Sequence, residues 1–123
     1  MLIKDLKKCK KIIAGDNTTM RELLSPLNED VTSRYSLAHA TVKPGEITYA
    51  HRLKSSEVYY ILQGTGEMYI DSEKEKVLSG QVIYIPPNSV QRIKNIGTCE
   101  LVFLCIVDPA WRAEDEEIEG LVE

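Results

Sequence analysis

Three polar side chains in the middle of the sequence have the types needed for metal binding or proton transfer. His51 and Glu57 lie close together in the chain, and Gln91 lies on a later segment. A first-row metal prefers imidazole or carboxylate ligands, and the same two groups can exchange protons near neutral pH when burial tunes them. An amide is a weaker ligand, and zinc usually takes three or four strong ligands. These residue types alone therefore leave open whether the site binds a metal, transfers protons or only forms hydrogen bonds.

Strand alternation predicts that these side chains converge. Side chains alternate between the two faces of a strand, so His51 shares a face with Leu53 and Tyr49. Glu57 begins the next strand after a polar turn, and Gln91 approaches from a third strand. If a barrel closes these strands, their inward-facing side chains meet at one locus.

The elements that must position these residues are strands. Short segments rich in β-branched and aromatic residues recur between turn signals every eight to twelve residues, which is typical of an all-β sandwich or barrel. The predicted strand segments are 33–45, 57–66, two within 67–80, 81–89, 90–97 and 99–107. The segment 110–119, with Asp108 as its cap and Pro109 in its first turn, is the best helix candidate, and an irregular tail is the alternative.

Two sequence motifs resemble those of the cupin superfamily. Residues 45–64 match the first cupin motif, GX5HXHX3EX6G, with His51 and Glu57 at two of its ligand positions. Residues 80–95 match the second motif, GX5PXGX2HX3N, in the correct order. The short segment between the motifs is typical of small microbial cupins, so the chain resembles a small single-domain cupin.

Three positions depart from the cupin pattern. Leu53 replaces the second His of the first motif, and Gln91 replaces the His of the second motif. Asn88 replaces a Gly, although Asn tolerates the left-handed backbone region almost as well. Of the four ligands that the family pattern implies, only His51 and Glu57 keep their type.

The resemblance implies an all-β fold, an antiparallel jelly-roll β-barrel. It implies one domain over residues 1–123, with the barrel core at about 33–107, N-terminal strands within 11–27 and a C-terminal tail at 108–123. It also implies a homodimer that pairs through the N-terminal strands, with 18–26 as the candidate edge.

The resemblance also assigns roles to the candidate site residues. His51, Glu57 and Gln91 are the predicted ligands of one weakly held divalent transition metal, either zinc, nickel, manganese or iron. His51 and Glu57 are the predicted catalytic acid–base pair. The predicted pocket wall consists of Tyr49, Leu53, Tyr59 and Ile61, with Tyr69 and Tyr84 as further candidates. Trp111 is predicted to anchor the tail.

Composition narrows the classes of partner and compartment. A net charge of −4, a pI near 5.3 and dispersed basic residues disfavour nucleic-acid binding. No apolar run reaches the length of a membrane span, and no export signal is visible. The three cysteines form no CxxC pair, so we expect a reduced, cytoplasmic chain.

The predicted function is that of a cupin that acts on or senses a small polar metabolite, such as a sugar or a keto acid, with or without a weakly held metal. Two alternatives stay open: a metal-dependent enzyme of the isomerase, dioxygenase or decarboxylase type, and a non-catalytic, metal-free binding module. The fold does not choose between these functions. The sequence assigns no role to His39, and the acidic run at 114–117 is interpreted as a solvated face.

Overall fold

The computed structural model describes residues 1–119 of the 123-residue chain. These residues form strands joined by turns and short loops. The strands are β1 (Lys11–Ile13), β2 (Thr19–Leu24), β3 (Ser36–Val42), β4 (His51–Leu53), β5 (Ser56–Gln63), β6 (Thr65–Ile70), β7 (Glu73–Leu78), β8 (Val82–Ile85), β9 (Gln91–Asn95), β10 (Leu101–Asp108) and β11 (Glu116–Ile118). The same residues contain two single 3₁₀ turns, Leu6–Lys8 and Ala113–Asp115.

The strands pair in two antiparallel sheets that enclose one core. The first sheet has six strands in the order β1-β2-β3-β10-β5-β8, and the second sheet has five in the order β11-β4-β9-β6-β7. Strand β10 lies between β3 and β5, so strands far apart in the sequence are neighbours in the sheet. This order is that of a jelly-roll barrel, and it confirms the predicted all-β antiparallel fold.

Alternation along the strands separates the core from the surface. In β5, Tyr59 and Ile61 are buried while Tyr60 and Leu62 are exposed. Phe103 of β10 packs against Tyr59 across the sheet, with the ring centroids 4.5 Å apart. The remaining buried members of the apolar core are Ala40, Val42, Met68, Val77, Ile83, Ile85, Ile93, Leu101 and Cys105.

Two turns beside the strands require left-handed backbone. Gly64 has a φ of +93°, and a Cβ there would lie 2.9 Å from the carbonyl oxygen of Glu100. Asn88, which replaces a motif glycine, has a φ of 65°. Its backbone N–H donates a hydrogen bond to the Leu53 carbonyl at 2.7 Å. The turn between β8 and β9 is therefore tied to β4, which fixes Gln91 beside His51.

Of the two alternatives for 110–119, a short helix or an irregular tail, the helix is not formed. Only Ala113–Asp115 forms a single 3₁₀ turn, and Glu116–Ile118 continues as β11, which pairs with β4. The acidic composition favours a local helix, but the ladder with β4 satisfies the backbone of this segment instead. The last residues of the predicted tail, 120–123, lie outside the described residues.

The predicted edge at 18–26 is also wrong, because β2 has a neighbour on each side. Thr19–Leu24 pairs with β1 on one side and with β3 on the other. Strand β1 is the outer strand at this end of the first sheet. Within residues 1–119, no helix combines the length and apolarity that crossing a membrane requires.

Candidate functional site

His51 opens β4 and lies inside the barrel, only 3 % exposed. Its cross-strand partner on β9 is Gln91. This pair joins a residue of the first cupin motif to a residue of the second. The Nδ1 atom lies 3.2 Å from the Tyr49 carbonyl oxygen and 3.7 Å from Oδ2 of Asp16. The Nε2 atom lies 3.9 Å from Oε2 of Glu116. The imidazole is therefore set between two carboxyl groups.

A chain of two hydrogen bonds runs beside this imidazole. The Tyr59 hydroxyl donates to Oε1 of Gln91 at 2.9 Å, and Nε2 of Gln91 donates to Oε1 of Glu57 at 2.9 Å. All three residues are buried. Because the amide both accepts and donates, it fixes the orientation of the phenol and of the carboxyl group at once.

One carboxyl oxygen of Glu57 receives no hydrogen bond from residues 1–119. Among residues 1–119, no fully covered side-chain nitrogen or oxygen lacks a hydrogen-bond partner. The bond from Gln91 is the only one that Glu57 receives in that part of the chain. Its other oxygen is therefore at the surface of an internal cavity, where a bound molecule can reach it.

Burial changes the ionisation of the groups in the site. Loss of solvent raises the pKa of Glu57 to about 8, and the charges of Asp16 and Glu116 act in the same direction, against the bond from Gln91. Burial also raises the pKa of Glu116, while the facing His51 opposes that change. The pKa of Tyr59 is raised by burial, so its hydroxyl stays a donor. A proton on Glu57 at neutral pH is the main consequence.

A cavity of about 220 Å³ opens at this end of the barrel. Its polar wall contains His51 with the carboxyl groups of Glu57, Asp16, Glu116 and Glu22. Its apolar and aromatic wall includes Leu53, Tyr59, Phe103, Val107, Trp111, Ile12 and Ile13. Among the described residues, no Lys or Arg lines this cavity, and its ionisable lining residues are the acidic ones together with His51, Tyr59 and Cys105.

The structure brings most of the predicted site residues together. His51, Leu53, Glu57 and Tyr59 line the cavity, and Gln91 contacts its wall through Glu57 and Tyr59. Their roles as ligands or catalysts stay predictions.

Four residues that were predicted to line the pocket do not line the cavity: Tyr49, Ile61, Tyr69 and Tyr84. Ile61 belongs to the packed core away from the cavity, and Tyr49 is 38 % exposed, because it precedes β4 and does not continue its alternation. Tyr84 faces outward from β8, and Tyr69 lies against Arg92 on the outside of the second sheet.

Three acidic residues of the cavity lining, Asp16, Glu22 and Glu116, were not anticipated from the sequence. Asp16 lies in the β1–β2 turn, where its backbone carbonyl accepts from the Tyr49 N–H at 2.8 Å. Glu116 lies in the acidic run that was interpreted as a solvated face, and β11 turns it inward. Trp111 is fixed through its backbone N–H, which donates to Oγ of Ser36 at 3.0 Å, and it also lines the cavity. This bond comes from the backbone and the Trp111 side chain is 38 % exposed, so anchoring of the tail by its ring stays a prediction.

The donor set does not fit a tightly held transition metal. Within residues 1–119, no three His, Cys, Asp or Glu side chains are placed to hold one ion. The carbonyl oxygen of Gln91 already accepts from Tyr59, and Leu53 offers no donor atom. The carboxyl groups of Asp16 and Glu116 also face His51, at 3.7 and 3.9 Å, but they are not placed to share one ion with it, whereas a zinc site usually has three or four ligands.

The chain is similar to known proteins over most of its length. The sequence profile of the family described as Cupin domain matches residues 38–107. An uncharacterized protein of Methanocaldococcus jannaschii, MJ1618, is 44 % identical over 112 residues, which cover 90 % of this chain and 89 % of that protein.

Two solved structures show the same fold at lower sequence identity. Streptomyces PAC13, determined with uridine, has a TM-score of 0.80 at 18 % identity and covers 100 % of this chain and 93 % of its own. The oxalate decarboxylase of Bacillus subtilis, studied for its Mn(II) centres, has a TM-score of 0.79 at 23 % identity and covers 92 % of this chain and 30 % of its own. These two likenesses show the fold, and the profile match over residues 38–107 shows that the chain belongs to the cupin family.

Proposed function

We propose that this cupin binds a small, uncharged or cationic polar metabolite in the barrel cavity without a tightly held metal. The observation that carries the proposal is the charge of the cavity wall. His51 lies among the carboxyl groups of Asp16, Glu57 and Glu116, with no cationic Lys or Arg side chain of residues 1–119 on the wall. Such a wall offers hydrogen bonds to hydroxyl and amino groups.

The wall charge narrows the ligand classes suggested by the sequence. A keto acid carries a carboxylate, which would be desolvated beside Asp16 and Glu116 without a paired cation. A sugar or an amino sugar has hydroxyl or ammonium groups that carboxylates accept from directly. The polar wall therefore favours the sugar class over the keto-acid class.

The size of the cavity supports the same class. Its volume of about 220 Å³ lies below the about 300–1,000 Å³ that is typical of pockets for drug-sized ligands. The aromatic rings of Tyr59, Phe103 and Trp111 give one side of the cavity an apolar surface. A ring of monosaccharide size, with polar edges and an apolar face, matches this combination.

A second candidate function is acid–base catalysis on the same ligand. With a pKa near 8, Glu57 carries a proton at neutral pH and can act as a general acid. His51 lines the same cavity and can accept a proton. An isomerisation of a sugar can use such an acid–base pair. The metal-dependent isomerase, dioxygenase or decarboxylase is not supported by the donor set.

The proposal can be tested by calorimetric titration of the purified chain with a panel of small molecules. Mannose and uridine represent neutral ligands, glucosamine a cationic ligand, and 2-oxoglutarate and mannose 6-phosphate anionic ligands. We expect heat of binding from at least one neutral or cationic compound, and about tenfold or greater loss of affinity in His51→Ala and Glu57→Ala. His39→Ala is the matched control, because His39 is the other His of the chain and lies outside this cavity.

Two outcomes would contradict the proposal. One is tighter binding of the anionic compounds than of all the neutral and cationic ones. The other is binding that His51→Ala and Glu57→Ala leave unchanged. A cytoplasmic location stays a proposal supported by the three free cysteines. A homodimer stays a proposal supported by the exposed apolar side chains of Tyr60, Val82 and Tyr84.

A further inference from the structure

A second cavity, of about 200 Å³, lies on the outer side of the first sheet, where β1, β2 and β3 are neighbours. It is called the outer cavity below. Its polar lining consists of Lys11, Thr19, Arg21, His39, Thr41 and Glu100. None of these six residues lines the barrel cavity, so the two cavities have separate polar groups.

Strand register places three basic side chains of the outer cavity in one row. Lys11 of β1 pairs with Arg21 of β2, and Arg21 pairs with His39 of β3. Residues directly opposite each other in an antiparallel pair point to the same side, with Cβ atoms about 5 Å apart. The row faces outward, because Ala40, the strand neighbour of His39, is fully buried in the core. A ligand above Arg21 is therefore within reach of the side chains on both sides of it.

Two hydroxyl groups lie next to this basic row. Thr19 and Thr41 pair with each other two positions further along β2 and β3, so they share its outward side. The Thr41 hydroxyl lies 3.4 Å from the Thr19 carbonyl oxygen, which is long for a bond between oxygens. Both hydroxyl groups can therefore turn to donate to a ligand in the outer cavity.

The positive charge of the row is not neutralised by an ion pair. Among residues 1–119, no carboxylate pairs with Lys11 or Arg21. Arg21 donates instead to the Leu6 carbonyl at 3.1 Å, in the turn Leu6–Lys8, which carries two more lysines. Glu100 is the one acidic residue that lines the outer cavity within the described part of the chain. Cations are thus in excess here, although the whole chain has a net charge of −4.

We propose that the outer cavity binds a dianionic phosphate group, either free phosphate or the phosphate of a small phosphomonoester. A phosphomonoester carries a charge of about −1.5 to −2 at neutral pH and has three strong acceptor oxygens. The guanidinium of Arg21 can donate two parallel N–H bonds to such a group, while Lys11 and His39 reach it from either side. A carboxylate has two oxygens and a single charge, so it would use fewer of these donors.

His39 couples this binding to pH. Burial lowers the pKa of His39, and the charge of Arg21 lowers it further. The groups that face it are Arg21 on β2, Lys11 beyond it on β1, the uncharged Leu104 on β10, and Glu100 in the cavity lining. A bound dianion offsets the cations and favours the protonated imidazole, so binding takes up a proton. Affinity for a ligand of constant charge should therefore rise as the pH falls below 6.5, the ordinary pKa of His.

The experiment follows the histidine signals of the purified chain by proton NMR while inorganic phosphate, glycerol 3-phosphate or glycerol is added. The chain has two histidines, and His39 reports on the outer cavity while His51 reports on the barrel cavity. We expect phosphate and glycerol 3-phosphate to shift the His39 signal, and glycerol to leave it in place. The His51 signal should not move. Tighter binding of glycerol 3-phosphate would assign the site to a phosphomonoester, and equal or weaker binding would assign it to free phosphate.

Charge-removing variants test the basic row. Arg21→Gln should weaken phosphate binding at least about tenfold, and Lys11→Gln, at an exposed position, should weaken it severalfold. The matched control is Arg92→Gln, which removes the same charge from the outer side of the second sheet and should leave binding unchanged. Sulfate, which stays a dianion throughout, should bind severalfold more tightly at about pH 5.5 than at about pH 8. Circular dichroism verifies that each variant is folded.

Three outcomes would overturn the proposal. The first is a His39 signal that does not move at millimolar phosphate. The second is equal weakening by Arg21→Gln and Arg92→Gln, because this would show a response to net charge without a specific site. The third, equal sulfate affinity at the two pH values, would remove His39 from the site. In the calorimetric panel, heat from an anionic compound that Arg21→Gln abolishes originates in the outer cavity, so this proposal and the proposed function fail separately.

Discussion

Strand β9 buries two amides on the same face, and each lies at a different end of the barrel interior. Asn95 donates to the carbonyls of Val42 and Cys99 at 2.9 and 2.8 Å, and accepts from the Gly97 N–H at 2.9 Å. Gln91 instead bonds to two side chains, Tyr59 and Glu57. The Asn95 amide therefore bonds only to backbone groups, whereas the Gln91 amide bonds to two side chains that line the cavity.

The closed end around Asn95 is built for stability. Val42, Ile61 and Leu101 are buried there, and Asn95 is itself fully buried. Every polar atom of the Asn95 side chain has a hydrogen-bond partner in the main chain, so its burial leaves no polar atom of this side chain unpaired. This region holds the loop after β9 against β3.

The open end around Gln91 carries a cost that the closed end avoids. Glu57 is buried beside Asp16 and Glu116, so its charged form is disfavoured. Strain of this kind tends to collect at functional sites. The open end therefore holds a buried carboxyl group whose ionisation is disfavoured, whereas the closed end holds an amide whose partners are all backbone groups.

The largest expected effect is a pH dependence of stability that originates at the open end. The pKa of Glu57 is about 8 in the folded chain and 4.5 in the unfolded reference, so the folded state binds the proton more tightly. The free energy of unfolding should therefore fall as pH rises from about 4.5 to about 8, by at most about 5 kcal/mol, and then level off. Glu57→Gln should remove most of this slope, measured by urea unfolding at several pH values.

The closed end supplies the control for this pH dependence. Ile61→Val should lower the free energy of unfolding by about 1 kcal/mol, because it deletes one buried methylene-sized group. That loss should be the same at every pH, since no titrating group changes. Parallel pH profiles for the unaltered chain and Glu57→Gln would mean that the raised pKa of Glu57 does not govern the open end.

The fold could be read from the sequence more fully than the site. Alternation and Gly or Pro turns within 57–107 predict the strands that form most of the barrel. The motif spacing also predicts that His51, Glu57 and Gln91 share one region. These features are local, or repeat a family pattern at fixed distances.

What the sequence did not reveal depends on distant pairings. Asp16 reaches the site through the β1–β2 turn, and Glu116 reaches it because β11 pairs with β4. Composition of the segment 110–119 favours a helix, and only the free edge of β4 selects a strand. Tyr49 was assigned inward by extending β4, but the strand begins at His51.

The next effect concerns metal affinity. Leu53→His together with Gln91→His should supply two imidazoles at the open end and free Glu57 from its bond to Gln91. We expect nickel or zinc to bind about a hundredfold or more tightly than to the unaltered chain, about 3 kcal/mol, measured by calorimetry. Leu53→Asn together with Gln91→Asn is the matched control without imidazoles. Unchanged affinity in the histidine variant would mean that positions 51, 53, 57 and 91 do not form one site.

The smallest effect tests the hydrogen-bond chain that distinguishes Gln91 from Asn95. Tyr59→Phe keeps the ring against Phe103 but removes the donor to Oε1 of Gln91, which leaves a buried acceptor without a partner. The free energy of unfolding should fall by about 1 to 2 kcal/mol. Tyr49→Phe, at an exposed tyrosine, should change it by less than about 0.5 kcal/mol. Because the freed amide no longer fixes Glu57, affinity for the cavity ligand should also fall severalfold, a result that a loss of packing alone would not produce. A Tyr59→Phe variant as stable as the unaltered chain would contradict this prediction. It would mean that Oε1 of Gln91 does not depend on the Tyr59 hydroxyl for a partner.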